Sequence, residues 1–167
     1  GSKNDLFLVD IDGGQKPRPL LATEYDEKNA EVSPDGTLLA FESDLSGKPE
    51  VYIRSFPDVE RRQWPVSTSG GSKPAWSRDG RELFYVSTDR HLMAVSVRKS
   101  AAGLEVLKPV QLFSIAAYFS GGQGRNYDGS LDGKRFVMVK NPTTGAPTIT
   151  PINVVLNWAD ELRKKMK

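Results

Sequence analysis

A chain of 167 residues with 38% hydrophobic and 26% charged residues suits one domain with a substantial core. Its net charge of +2 makes no case for nucleic acid or an acidic membrane surface, and no apolar stretch nears the ~20 residues that span a bilayer. With no cysteine and a single histidine, His91, disulfides, thiolate nucleophiles and multi-histidine metal sites are excluded, and a Ser-His-Asp triad would rest on one residue.

In chain order, Gly1-Ser2 reads as a tag remnant. Residues 5–11 (DLFLVDI) form a first strand that stops at Asp12-Gly13-Gly14, and residues 18–22 form a second. Residues 29–33 enter a Pro-Asp-Gly turn, 37–42 leave it, and 44–48 (DLSGK) turn again. Residues 50–56 (EVYIRSF) alternate with period two: Val51, Ile53 and Ser55 share one face, Tyr52, Arg54 and Phe56 the other. An outer strand at 63–67 follows the polar loop 58–62. The grammar then returns with a strand at 73–77, an Arg-Asp-Gly turn, and a strand at 82–87. A turn at 88–90, a strand at 91–97 (HLMAVSV), a longer loop and a strand at 110–114 complete the unit. A third unit starts at 125–130, turns at Asp132-Gly133 and runs on through 134–140. After a Pro/Gly/Thr loop at 141–147, residues 152–156 (INVVL) read as a β-branched strand and 157–167 as a short C-terminal helix. Asn157 caps that helix, Asp160 and Glu161 sit near its start, and Arg163, Lys164, Lys165 and Lys167 suit the negative end of its dipole.

One phrase organises these elements. Ser33-Pro34-Asp35-Gly36 returns as Ser77-Arg78-Asp79-Gly80 and as Ser130-Leu131-Asp132-Gly133, at intervals of 44 and 53 residues. A period of roughly 40–50 residues marks a stack of supersecondary units, none of which can bury its own apolar faces. Four strands per unit joined by hairpins describe a blade, so the chain reads as all-β, a partial β-propeller of four-stranded antiparallel blades. The tag remnant at 1–2 is followed by blade parts at 3–24, 25–68, 69–114 and 115–156, then the helix. The phrase itself is turn chemistry: aspartate accepts hydrogen bonds from nearby backbone N–H groups, and glycine accepts the positive φ of a tight hairpin. Calcium binding by Asp35 and Asp79 would need a denser set of oxygen ligands.

At these residues the chain resembles the WD40-like PD40 repeats of the TolB C-terminal propeller. The resemblance is carried by Ser33-Pro34-Asp35-Gly36 before Leu38-Leu39-Ala40-Phe41, and by Pro74-Ala75-Trp76-Ser77-Arg78-Asp79-Gly80 before Leu83-Phe84-Tyr85-Val86. Glu50-Val51-Tyr52-Ile53 resembles that family's third strand. The third copy departs from it, with Asn126-Tyr127-Asp128-Gly129 where Pro-x-Trp would stand. The ending Pro151-Ile152-Asn153-Val154-Val155-Leu156-Asn157-Trp158 resembles the C-terminus of propeller domains attached to some bacterial serine/threonine kinases. The resemblance implies a non-catalytic protein-interaction module of the bacterial envelope, periplasmic or extracytoplasmic, without a cofactor. The alternatives are a small-ligand or carbohydrate sensor of a larger protein such as such a kinase, and an accessory propeller of a peptidase.

Two full blades with strand pairs on either side leave an open arc, because family propellers have six or seven blades. Either the chain is a piece of a longer propeller, or two copies close a six-bladed ring about a two-fold axis. In the second case 5–11 and 18–22 of one copy complete the blade begun by 126–140 of the other, a position for which 152–156 competes. Binding is expected at the loops that enter the inner strands, at 22–29, 68–73 and 115–128. Within them Glu24, Tyr25, Lys73, Tyr118, Arg125 and Tyr127 are the candidate binding residues; no catalytic or metal residue is expected. Gly70-Gly71-Ser72-Lys73 lacks phosphate-loop spacing, no nucleophile elbow occurs, and His91 reads as an exposed strand-end residue. Trp64 and Trp76 are expected to pack between blades.

Overall fold

A computed structural model describes residues 3–101, 103–118, 122 and 124–140. Every regular element among them is a β-strand. The strand at 152–156 and the helix at 157–167 lie outside the described residues.

Strands β1 (Leu6–Leu8) and β2 (Arg18–Leu21) form an antiparallel pair. Strands β3 (Lys28–Val32), β4 (Leu38–Ser43), β5 (Glu50–Ser55) and β6 (Gln63–Pro65) follow as a four-stranded meander in sequence order. The next sheet repeats the order with β7 (Gly71–Trp76), β8 (Glu82–Ser87) and β9 (His91–Ser100). Its fourth position is shared, because β10 (Gly103–Val106) pairs with the second half of β9 and β11 (Val110–Ser114) with the first. Strands β12 (Tyr127–Gly129) and β13 (Phe136–Met138) make the last pair. Strand β10 departs from the expected loop: β9 runs on to Ser100, and the chain folds back there, with Gly103 at φ +123°.

The repeated phrase forms the same corner three times, each joining the first two strands of its sheet. Ser33 Oγ donates to Asp35 at 2.7 Å and accepts from the Leu38 N–H at 3.0 Å, while the Gly36 N–H reaches the Ser33 carbonyl at 2.8 Å. Ser77 repeats the pattern with Asp79 at 2.7 Å and Glu82 N–H at 2.9 Å. Ser130 does the same with Asp132 and, at 3.0 Å, the Arg135 N–H. The corner glycines take φ of +70°, +68° and +65°, a region that costs a side chain roughly 1 kcal/mol or more.

Alternation sends successive side chains of a strand to opposite faces, and in β4, β5, β7 and β8 both faces are buried. Leu38, Ala40, Val51 and Ile53 on one face of the four-stranded sheet meet Trp76, Leu83, Tyr85, Val95 and Val97 of its neighbour, with Trp64 packed alongside. Leu39, Phe41 and Tyr52 on the other face meet Leu21 and the partly buried Leu6 and Leu20 of the first pair. Phe84, Val86, Leu92 and Ala94 turn instead toward Tyr127 and Phe136 of the last pair. The core is therefore three layers between successive sheets, each buried aliphatic side chain contributing about 1.5–3 kcal/mol. The burial stops at the two end pairs, where Phe7, Val9 and Ile11 at one end and Val137 and Val139 at the other are exposed.

Candidate functional site

The three loops expected to carry binding residues converge on one cleft. Its volume is about 420 Å³, and Lys28 and Asn29, Ser72 and Lys73, and Gly122 line it, one contribution from each loop; Glu42 of β4 completes the lining. The backbone explains the convergence. Asn29 and Lys73 are non-glycine residues at positive φ, +52° and +56°, each where the register slips between the first two strands of its sheet. Both stand four residues before their corner serine, and so does Asn126. The slip acts as a β-bulge that re-aims the chain at the inner edge of the stack.

Glu42 is the centre of the arrangement. It is 4% exposed, in a strand that is buried throughout. Its Oε2 accepts from Asn29 Nδ2 at 2.8 Å and from the Lys73 N–H at 3.2 Å, and its Oε1 lies 3.5 Å from Lys28 Nζ. Lys28 Nζ also donates to Asp26 at 2.9 Å. That hydrogen bond raises the Lys28 ammonium above its ordinary value, and together with donors from Asn4 it holds the Asp26 carboxyl at about 2. Lys73 is 6% exposed, and burial lowers its ammonium against the opposing charge of Glu42. Tyr127 does not line the cleft but supports Lys73, its buried hydroxyl donating to the Lys73 carbonyl at 2.7 Å. Burial pushes that phenol well above the ordinary tyrosine range.

Lys73 and Tyr127 are thus brought together. Arg125 instead crosses to Glu31 of β3, whose carboxyl burial raises and Arg125 opposes. Tyr118 is partly buried against the last core layer, and its carbonyl accepts from Arg90 at 3.0 Å. Glu24 and Tyr25 sit at a separate corner, where Lys3 Nζ lies 5.6 Å from the Tyr25 ring and the charge of Glu24 raises the phenol. Neither lines the cleft. His91 opens β9 as expected but is partly buried, with Nδ1 3.1 Å from Asp89. Gly70 has a structural use, donating its N–H to the buried Glu50 at 2.9 Å. Lys28, Asn29, Ser72 and Glu42 were not among the expected residues. The readable signal for Glu42 is a carboxylate inside an apolar run, and for Asn29 its place relative to the corner serine. Among the described residues no group of three or more His, Cys, Asp or Glu is placed to hold a metal ion, and no helix is long and apolar enough to cross a membrane.

No family model matches the chain. Dipeptidyl aminopeptidase BI of Pseudoxanthomonas mexicana is 37% identical over 67 residues, which is 39% of this chain and 9% of that protein. The chain therefore spans a small part of that curated relative's length. Oligogalacturonate lyase of Vibrio parahaemolyticus superposes with a TM-score of 0.57 at 20% identity, over 85% of this chain and 39% of that one. TolB of Acinetobacter baumannii gives 0.48 at 14% identity, over 91% and 48%. The likeness to the lyase is one of fold, and it agrees with an all-β chain whose antiparallel sheets stack as part of a propeller.

Proposed function

We propose that the chain is part of a non-catalytic, TolB-like propeller module of the bacterial envelope that binds a protein partner at the mouth of its inner strands. The observation that carries this reading is the convergence of three loops from successive sheets on one charged cleft. Its described lining has two lysines, an asparagine and a buried carboxylate where a carbohydrate sensor would set aromatic faces, so a protein partner is favoured over a sugar. A photo-crosslinking residue placed at Ser72 tests it. In cells of the source bacterium it should capture one discrete protein, while the same residue at Lys16 captures none. Equal capture from both positions, or none from either, defeats the reading.

The 67-residue likeness to an aminopeptidase favours a second reading, an accessory propeller of a peptidase, in which this chain likewise binds and does not react. A further partner is a second copy of the chain. The end pairs β1–β2 and β12–β13 each supply half of a four-stranded blade and expose apolar residues, so pairing between copies would cover both. Light scattering at high protein concentration should give twice the mass of the chain; a clean monomer rejects the closed dimer.

A further inference from the structure

We propose that the free edge of β13 docks β1 of a second copy of this chain in one register, from Lys140 opposite Asp5 to Arg135 opposite Asp10, so that the two end pairs become one four-stranded sheet. The docking rests on the two-copy reading above and fixes which residues meet.

Each end pair lacks what the other holds. Strand β1 repeats β5, since Lys3-Asn4-Asp5-Leu6-Phe7-Leu8 matches Lys48-Pro49-Glu50-Val51-Tyr52-Ile53 in its pattern of charged and apolar positions. The backbone treats the two alike: the Glu27 N–H reaches the Asn4 carbonyl at 2.9 Å, as the Gly71 N–H reaches that of Pro49 at 3.0 Å. Strand β13 repeats β4, because Gly129 pairs with Phe136 as Val32 pairs with Leu39, at the same distance from the corner serine. One end therefore has a third strand without a second, and the other a second strand without a third. Among the described residues β1 pairs only with β2, and β13 only with β12.

Strands β4 and β5 pair from Ser43 opposite Glu50 to Leu38 opposite Ser55. Carried onto the end strands, that register sets Met138 against Phe7 and Phe136 against Val9 on one face, with Val139 against Leu6 and Val137 against Leu8 on the other. Lys140 against Asp5 and Arg135 against Asp10 then bracket the apolar pairs with opposite charges. A slip of two residues either way keeps the faces but sets Asp5 and Asp10 against uncharged residues. Residues 148–156, which compete for this edge, carry no charge to meet Arg135 and Lys140.

The same register covers both exposed stripes. Phe7 and Val9 come beside Phe136 and Met138, which pack on Phe84 and Val86. Val137 and Val139 come beside Leu8 and Leu6, on the side where Leu6 packs on Leu39, Phe41 and Tyr52 of its own copy. A two-fold axis makes the exchange twice and leaves neither edge open.

The test exchanges the charges. The parent chain, the variant Asp5→Lys with Asp10→Lys, the variant Arg135→Glu with Lys140→Glu, and an equimolar mixture of the two variants are followed by light scattering through a dilution series at low ionic strength. All four positions are exposed, so each variant should fold as the parent does, checked by its thermal transition. The parent is expected at twice the mass of the chain. Each variant alone should dissociate at a roughly hundredfold higher concentration, because four cross-strand contacts turn to like charge at once. The mixture should regain the parent's affinity, since both junctions of a mixed pair again oppose unlike charges. A parent of single-chain mass overturns the docking and the two-copy reading together, and leaves the edge to a segment of the same polypeptide or to solvent. A dimeric parent whose variants associate as tightly as it does, or whose mixture is no tighter than either variant, overturns this register while the two-copy reading stands.

Discussion

At each of the three corners one serine hydroxyl acts twice, as donor to an aspartate and as acceptor from the first N–H of the returning strand. Removing it at Ser77 takes one acceptor from the Glu82 N–H and one donor from Asp79, which keeps the Arg81 N–H, so Ser77→Ala should cost about 1 kcal/mol. Gly80→Ala at φ +68° should cost a similar ~1 kcal/mol by strain alone. Urea denaturation of both single variants and the double checks this; a double variant no less stable than either single would disprove independent contributions. Tyr127→Phe removes the donor to the Lys73 carbonyl in a buried setting and should cost about 1–3 kcal/mol. It should also loosen the cleft, seen as faster hydrogen exchange at Lys73; unchanged stability and exchange would remove Tyr127 from the site's support. The corner residues were legible as turn chemistry because their partners lie within five positions. Glu42 was not, because Lys73, whose N–H it accepts, is 31 residues away.

Strands β4, β5, β7 and β8 have no solvent face over most of their length, since sheets cover them from both sides. Ile53 is fully buried between the four-stranded sheet and its neighbour, so Ile53→Ala should cost 2–5 kcal/mol, roughly the range for deleted core methylenes. Val137, exposed on the outer face of the last pair, should tolerate Ala within about 0.5 kcal/mol. Comparable losses at the two positions in thermal denaturation would contradict the layered core. The period-two reading of residues 50–56 located both faces correctly: Val51 and Ile53 enter one layer, Tyr52 and Phe56 the other. Strand β10 escaped that reading. Its residues alternate only over Gly103–Val106, and what makes them a strand is the extended edge of β9 beside them.

The stacked sheets as a whole make the fold sensitive to alkali. Tyr85 lies in the layer between the two central sheets, and burial, reinforced by the charges of Glu50 and Asp89, pushes its phenol up to about 12. A folded value above the unfolded one of about 10 means the neutral phenol is the form the fold favours. Its contribution is whole below about pH 10 and is lost as pH rises toward about 12, with Tyr127 shifted in the same direction. Urea midpoints should therefore fall steadily above about pH 10, with phenolate absorbance rising only as the chain unfolds. Early phenolate formation in folded protein would show that these rings are not shielded.

Local chemistry written in consecutive residues determined the repeat, the corners, the strand class and the three loops that lead to the inner strands, because hydrogen bonds a few positions apart and period-two alternation need no knowledge of the rest of the chain. Which charged groups meet was decided only by tertiary structure. Lys28, Glu42 and Lys73 converge because bulges in two different sheets turn toward the same cleft, and Arg125 is drawn away to Glu31 across a contact of 94 residues. Distances between sheets are set by side-chain packing summed over whole layers, and no single stretch of residues carries that information.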